Sequence, residues 1–326
     1  MPQDSVAYAV ARVQYRMRDM LSRGHLERLL SAPSYEESLR ALSEIGWVET
    51  GDTNIETFVT VHVRDACALV KALTPCPDAT DCFMLRYDGL NLKTLIKARC
   101  RSKHAAILSE CGIFPVDLLR HAVAERNYTK LPETLSKALS LLENSLAVRE
   151  DALMIETAVD KALFEYISLK LQRVESPAIR RYFVGRVDIL SAIMLLRVKL
   201  MGKSAAIMRD MLLPGGSIPV EKWAEAFEKP EIIPKLLAKY GERVIAATAR
   251  AVQDGAALPV LEKAMDDSLL KPFSTFRYDP LRIEPVVGYL LGAEREAAAV
   301  RLIIAGKKNQ FSQEAIEERL RDLYGE

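Results

Sequence analysis

The sequence predicts an all-α fold, and three features of its 326 residues carry that prediction. Glycine and proline are scarce, at 15 residues each. Apolar residues recur at spacings of three and four, the period of an amphipathic helix, rather than at two, the period of a strand. Proline falls between these periodic segments, where helices are expected to end. These prolines are Pro33, Pro75, Pro77, Pro132, Pro177, Pro214, Pro234, Pro272 and Pro280.

Amphipathic segments can be followed from one end of the chain to the other. Apolar stripes run through residues 10–21, 135–142 and 291–303, with charged residues at the remaining positions. One segment, TFVTVHV at residues 57–63, has the β-branched composition of a strand. It continues directly into the helical sequence VRDACALVKAL. We therefore interpret it as helix or as one isolated extended piece.

Composition narrows the possible functions. The net charge of +1 gives no overall field that would attract nucleic acid. Charged residues interrupt every apolar stretch before it reaches the roughly 20 residues of a membrane span. The five cysteines, an odd number, fit a reducing cytoplasm better than a set of disulfides. We therefore expect a soluble cytoplasmic protein without a nucleic-acid partner.

Three segments repeat one pattern, an acid followed by a basic residue and then a helix end. They read DGLNLKTLIKARCRSK (88–103), DILSAIMLLRVKLMGK (188–203) and GAEREAAAVRLIIAGK (292–307). Aligned on these letters, Lys97, Arg197 and Arg301 correspond, and each is followed six residues later by a lysine. Gly202 and Gly306 precede two of those lysines, and glycine in that place is typical of a helix C-cap.

Two further elements recur in the same order. Helix starts are predicted at 112–125, 216–229 and 310–320, and residues 25–32 fit the same template. Upstream, Asp65, Asp160 and Asp266 each mark the start of an apolar helix.

The three ordered repeats predict three helical domains. Their boundaries are 1–112, 113–216 and 217–326. The partial units at the two ends of the chain, 6–23 and 314–324, are expected to complete one another.

The repeated charges are interpreted as structural partners in partly buried pairs. A helix that carries one acid and one base among apolar residues usually pairs them with groups on adjacent helices. An enzyme, in contrast, seldom needs its catalytic residue three times. A catalytic or proton-relay role is the alternative, and the basic run at 93–103 is interpreted as a solvated helix face or a contact for an acidic partner. The structural charge positions are Asp88, Lys97, Asp188, Arg197, Glu294 and Arg301.

No pattern indicates an active site, a metal site or a cofactor. The segment RVKLMGKS at 197–204 ends like a phosphate loop. It has Arg197 where that loop requires glycine, and a predicted helix rather than a strand precedes it. The histidines occur singly, without the spacing of metal ligands. We expect no cofactor and no small-molecule substrate.

Loops near the ends of the repeats are the candidate partner interface. Two glycines after MLLP occupy the same place as a glycine in the preceding copy, so the copies are expected to present equivalent loops at one end. The predicted rim consists of Cys111, Gly112, Pro214, Gly215, Gly216, Gly306 and Lys307.

Several segments together carry a family resemblance. They are EPVVGYLLGAEREAAAVRLIIAGK (284–307), which is the most specific, YDGLNLKTLIKA (87–98), VDILSAIMLLRVKLMGK (187–203), LLPGGSIP (212–219), IEERLRDLY (316–324) and the N-terminal residues 8–42. These segments resemble the C subunit of the V-type ATPases of bacteria and archaea, which is related to the eukaryotic d subunit, the AC39 family. One departure is Ser191, where the family often has asparagine, as Asn91 is in the first copy.

The resemblance implies a non-catalytic central-stalk subunit of a rotary ATPase or ATP synthase. It implies a funnel of three helical domains related by pseudo-threefold symmetry. Such a funnel lies on the cytoplasmic face of the membrane proteolipid ring and receives the tip of the central shaft. The expected partners are therefore the shaft subunits and the ring, with no cofactor. Two other classes stay open: a cytosolic helical-repeat adaptor, which would form an open superhelix, and a helical enzyme with an unrecognised pocket.

Overall fold

The computed structural model describes residues 5–48, 54–103 and 107–324. Within these ranges all regular structure is helical, which confirms the predicted fold class. In chain order the α-helices are α1 (Val6–Met17), α2 (Arg23–Ser31), α3 (Tyr35–Glu44), α4 (Ile55–Leu73), α5 (Pro77–Cys100), α6 (Val116–Ala124), α7 (Glu133–Val148), α8 (Ala152–Leu171), α9 (Pro177–Leu200), α10 (Ala205–Met211), α11 (Val220–Glu228), α12 (Ile233–Leu236), α13 (Glu242–Gln253), α14 (Leu258–Thr275), α15 (Glu284–Lys308) and α16 (Gln313–Glu317).

Contacts within the chain define two compact units. One combines Met1–Pro75 with Pro234–Glu326, and the other is Cys76–Ile233. The boundaries of the three sequence repeats stay a prediction.

In the unit that contains both ends of the chain, α15 is the central helix. Helices α1, α2, α3, α4, α14 and α16 all pack against it. Buried residues lie on every face of this 25-residue helix, so it is enclosed rather than amphipathic. Leu29 of α2, Leu42 of α3 and Val300 of α15 belong to one apolar cluster.

In the unit Cys76–Ile233, the long helices are α5 and α9, with 24 residues each. Helix α8 packs along α5 and against α7, while the nine-residue helices α6 and α11 pack against α5 and α9 respectively. Phe83 of α5 and Phe183 of α9 are in contact, with ring centroids 4.8 Å apart.

The segment 57–63 is helical and belongs to α4, which is the first of its two interpretations, because burial of residues such as Val59 outweighs the small cost of β-branched residues in a helix. Three predicted helix starts need correction. Asp65, Asp160 and Asp266 lie in the middle of α4, α8 and α14, since each helix begins more than two turns earlier.

Two prolines do not separate helices as predicted. Pro272 lies in the last turn of α14, where its missing N–H removes a single helical hydrogen bond. Pro234 is the second residue of the one-turn helix α12, a position that needs no N–H donor.

Across the three described ranges, no helix combines the length and the apolar character needed to cross a bilayer.

Candidate functional site: three buried carboxylates and the loops they hold

The aspartate that opens the first repeat binds the backbone of the loop before α6. Asp88 has no exposed surface. Its Oδ2 accepts a hydrogen bond from the Ile113 backbone N–H at 2.7 Å, and its Oδ1 accepts one from the Phe114 N–H at 3.1 Å. A Cβ atom at Gly112 would collide with Oδ1. The carboxylate therefore anchors this loop, and the close approach requires glycine.

The second repeat has the same arrangement. Asp188 of α9 is also completely buried. Its Oδ1 accepts a hydrogen bond from the Ser217 backbone N–H at 2.8 Å, and its Oδ2 accepts one from the Ser217 hydroxyl at 2.5 Å. A Cβ atom at Gly216 would lie 2.7 Å from Oδ1. The loop before α11 is thus anchored in the same way as the loop before α6.

The third long helix carries an equivalent carboxylate that the sequence did not single out. Glu296 of α15 is 1% exposed. Its Oε1 accepts a hydrogen bond from the Leu21 backbone N–H, just before α2, and its Oε2 lies 2.9 Å from His62 Nε2. Glu294, the acid that the sequence singled out in this segment, lies two residues earlier and is half-buried.

Each long helix also has, near its C-terminus, a basic residue that binds the far end of the same short helix. The last carbonyl groups of a helix have no helical donor and carry partial negative charge, so a cation satisfies them. The contacts are Arg99 Nη1 to Val123 O at 2.6 Å, Lys199 Nζ to Phe227 O at 2.5 Å, and Lys307 Nζ to Leu30 O at 2.5 Å and Ala32 O at 2.6 Å.

We call each such set a clamp, because one long helix holds both ends of one short helix. The three clamps are Asp88–α6–Arg99, Asp188–α11–Lys199 and Glu296–α2–Lys307. In every clamp the basic residue follows the acid by 11 positions. The repeated feature is therefore a backbone anchor rather than a set of free reactive groups.

The ends of the long helices show the same register. The left-handed residue is Ser102 (φ 49°) after α5, Gly202 (φ 64°) after α9 and Gln310 (φ 57°) after α15. Each lies 14 residues after the clamp acid. In all three the next N–H returns to a carbonyl five residues earlier, at 2.9–3.0 Å.

The predicted cap at Gly306 is wrong. Helix α15 continues to Lys308, and Gly306 lies inside it. A Cβ atom at this position would lie 2.6 Å from Ile316 Cδ1, so the glycine allows α16 to pack closely.

When the repeats are aligned on their clamps in the structure, the third repeat is therefore displaced by four residues relative to the sequence alignment. Four residues are close to one helical turn, so the displacement leaves the apolar stripe on the same face. In this structure-based alignment Arg301 corresponds to Lys93. Helix α16 corresponds to α10, and not to α6 and α11 as the sequence alignment predicted. The counterpart of those two helices is α2.

The N-terminal segment thus supplies the short helix of the third clamp. In the first two clamps the short helix comes after its long helix, whereas α2 lies far before α15 in the chain. Near the C-terminus, Tyr324 packs against Gly288 and Gly292 of α15, and Met20 also packs against Gly292. This agrees with the expectation that the two ends of the chain complete one another.

The predicted rim residues divide into two groups. Four lie in or beside the clamps and are buried or half-buried: Cys111, Gly112, Gly306 and Lys307. Three are exposed: Pro214, Gly215 and Gly216, of which Gly216 also lies against the Asp188 carboxylate of the second clamp. The φ of 92° at Gly215 favours glycine, so conformation already accounts for that residue.

Charge pairs connect α5 to α8. Lys97 pairs with Glu156, while Lys93 Nζ lies 3.0 Å from Glu156 Oε2 and 2.9 Å from Asp160 Oδ1. Burial acts to lower the pKa of Lys93, but the two carboxylates outweigh burial and raise that pKa. The basic run at 93–103 is therefore in part an internal pairing surface rather than a solvated face.

The predicted arginine positions are less buried than expected. Arg301 Nη2 lies 2.8 Å from Glu56 Oε2, with side chains 48% and 63% exposed. Such an exposed pair contributes about 1 kcal/mol or less. Arg197 is exposed in the last turn of α9.

The three clamps define the class of protein to which this chain belongs. It is a helical protein in which repeated acidic and basic side chains bind backbone groups of the same chain. In the parts of the chain that the structure describes, no three histidine, cysteine, aspartate or glutamate side chains form a group that could hold a metal ion.

Comparison with known proteins identifies the family. Residues 9–319 match the model of the ATP synthase (C/AC39) subunit family. The chain is 22% identical to the C subunit of the V-type sodium ATPase of Enterococcus hirae, covering 96% of this chain and 99% of that protein. It is 24% identical to the C subunit of the A-type ATP synthase of Thermococcus kodakarensis, covering 96% and 89%. The chain therefore belongs to the ATP synthase (C/AC39) subunit family, as the resemblance predicted.

Proposed function

We propose that the chain is a non-catalytic central-stalk subunit of a V-type or A-type ATPase. In this role it is a socket that couples the central shaft to the membrane proteolipid ring during ATP-driven ion transport. The observation that carries the proposal is the family match over residues 9–319. The names of the two relatives place each of them in a V-type ATPase or an A-type ATP synthase.

The clamps support a mechanical role. A part that transmits torque must resist local bending, and each clamp fixes a short helix at both ends. Three clamps with one register are also what a pseudo-threefold funnel of three helical domains requires. We include that arrangement in the proposal, together with a peripheral position on the cytoplasmic face of the membrane sector.

A helical-repeat adaptor is the second candidate. Open repeat arrays need terminal repeats with a polar outer face, because the last repeat has no neighbour. In this chain the third clamp is instead completed by α2 from the N-terminal segment. That observation favours a closed set of repeats over an open array.

Bridging of the two sectors tests the proposal. Membrane sector stripped of this subunit is mixed with labelled shaft subunits, and their co-sedimentation is measured with and without the chain. The chain should recruit the shaft to the membranes. Equal recruitment in its absence would contradict the socket role.

The exposed part of the rim is tested in the same assay by Pro214→Glu. We expect at least a tenfold weaker recruitment, because a charge would enter the contact. Val148→Glu, at a residue that is 89% exposed at the end of α7, is the matched control. Bulky residues at Gly215 or Gly216 are unsuitable, since their Cβ atoms would lie 2.7 Å from Ser168 Oγ and Asp188 Oδ1 respectively.

A further inference from the structure

Two elements next to α15 are not part of a clamp, namely the linker that leads into it and helix α1. The linkers that lead into the long helices cover residues 74–76 before α5, 172–176 before α9 and 276–283 before α15. The third is the longest, with eight residues against three and five. Helix α1 is the other element, because it precedes α2 and is not part of a clamp. Features shared by all three repeats serve the architecture, so an asymmetric function is best sought in these two elements.

The third linker presents large side chains to solvent from a fixed framework. Tyr278 is 74% exposed and Leu281 is 82% exposed. The guanidinium of Arg277 lies over the Tyr278 ring, 5.5 Å from its centroid, and that of Arg282 lies 4.4 Å from the Phe276 ring centroid. Arg277 also lies 5.5 Å from the Tyr324 ring centroid, and this contact joins the linker to the packed C-terminal segment.

Helix α1 adds positive charge beside this linker. The segment Val6–Met17 contains no acidic residue, and its exposed side chains include Arg12, Tyr15 and Arg16. Gln14 Nε2 donates a hydrogen bond to the Arg277 backbone oxygen at 3.4 Å, which joins the helix to the linker. Tyr15 is 65% exposed.

We propose that α1 and residues 276–283 form a docking surface for an acidic protein surface in the assembled ATPase. Tyr278 and Leu281 are its apolar anchors, and the exposed arginines of α1, Arg12 and Arg16, supply the charge complementarity. Exposed tyrosine and arginine residues are the types that dominate protein–protein binding energy. We call this set the α1–linker surface. The inference rests on the proposed function, which places the chain among the partners offered in the test.

A protein fits this surface better than a lipid headgroup layer does. Asp279 lies within the linker and pairs with Arg282 at 3.2 Å, and Asp19 is exposed just after α1. A uniformly anionic layer would be repelled by these carboxylates, whereas a protein can match a mixed pattern of charges residue by residue.

The test measures binding of the immobilised full chain to three purified probes. These are the shaft subunits, the membrane sector without this subunit, and vesicles of phosphatidylcholine with phosphatidylglycerol. The variants are Tyr278→Ser, Leu281→Ser and Arg12→Glu. Leu141→Ser, which removes an aliphatic side chain 67% exposed on α7, is the matched control. The melting temperature of every variant confirms that it is folded.

We expect the two linker variants to bind one of the protein probes at least tenfold more weakly, with melting temperatures unchanged. Arg12→Glu should slow association and reduce its salt dependence. The control should bind like the wild-type chain. Loss of vesicle binding alone would replace the protein partner with a membrane and overturn the proposal, as would equal binding by all variants. If the wild-type chain bound neither protein probe, the proposed function itself would fail.

Discussion

At the scale of single residues, the buried carboxylates explain how the loops are ordered. Burial of a charge is costly unless hydrogen bonds replace the water that it loses. Asp88 and Asp188 each accept two hydrogen bonds from the following loop. The choice of aspartate at these positions therefore follows from the donors that face it.

Removal of the first clamp acid should destabilise the protein. We expect Asp88→Ala to lower the free energy of unfolding by about 3 kcal/mol, because two backbone N–H groups lose a charged acceptor. Urea unfolding followed by circular dichroism measures this change. Glu125→Ala removes an exposed acid at the end of α6 and should change the same quantity by less than about 0.5 kcal/mol. Equal effects of the two substitutions would contradict the anchoring role.

Because of Asp267 in α14, we expect the free energy of unfolding to depend on pH. Burial raises the pKa of Asp267 to about 6, although Arg295 lies 3.0 Å away and opposes this rise. Between the pKa of the unfolded chain, near 4, and about 6, the folded state therefore holds the proton more tightly. The contribution of this residue is greatest below the unfolded pKa and is lost as the pH rises through about 6.

Comparison with Asp267→Asn isolates that contribution. The difference in unfolding free energy between wild type and variant should fall by roughly 2–3 kcal/mol as the pH rises from about 4 to 7. Urea unfolding at several pH values measures it. A difference that stays constant would show that the pKa of this carboxyl does not change on folding, and one that grows with pH would show that folding lowers it; either would contradict the prediction.

The sequence identified two of the three clamp acids. Asp88 and Asp188 occupy equivalent positions in the alignment of the first two repeats. Glu296 was missed because its role depends on Leu21, which is 275 positions away in the chain. A donor so remote leaves no local pattern around the acid.

At the scale of helices, the ends of α5 and α9 have one geometry and different residues. Ser102 has a φ of 49° and Gly202 a φ of 64°. Left-handed geometry costs a non-glycine residue about 1 kcal/mol. We expect Ser102→Gly to raise the free energy of unfolding by roughly 0.5–1 kcal/mol and Gly202→Ser to lower it by a similar amount. Thermal unfolding checks both, and a shift of the same sign in both variants would refute the shared cap geometry.

Two glycines should respond in opposite ways to alanine. At Gly112 a Cβ atom would collide with the Asp88 carboxylate, so Gly112→Ala should lower the free energy of unfolding by about 2 kcal/mol. At Gly24 in α2 the nearest atom to a Cβ is Ser22 Oγ at 3.8 Å. Gly24→Ala should therefore raise the free energy by about 0.5 kcal/mol. Chemical denaturation compares the two, and stabilisation by Gly112→Ala would exclude the close approach.

Helix type was predictable from sequence, whereas the starts of α4, α8 and α14 and the end of α15 were not. The period of apolar residues indicated helix across the described ranges, because burial of one face is a local property. The end of α15 was placed wrongly, since its left-handed residue is Gln310 and the glycine that suggested a cap is a packing residue.

At the scale of the whole chain, the third clamp could not be predicted from the amino-acid sequence. Residues 25–32 match the template of the short helices, but the sequence does not indicate which long helix they pack against. The contacts of Leu21 and Leu30 with α15 supply that partner. The repeats thus use the N-terminal segment to complete the last copy.

The most direct test of the proposed function is the number of ions transported per ATP hydrolysed. The ATPase is reconstituted into vesicles with and without this chain, and both activities are measured on the same preparation. We expect ATP hydrolysis by the catalytic head to persist without the chain, ion transport to be lost, and both to be coupled again when the chain is added. Full transport at an unchanged ratio in vesicles that lack the chain would contradict its role as the link between shaft and ring.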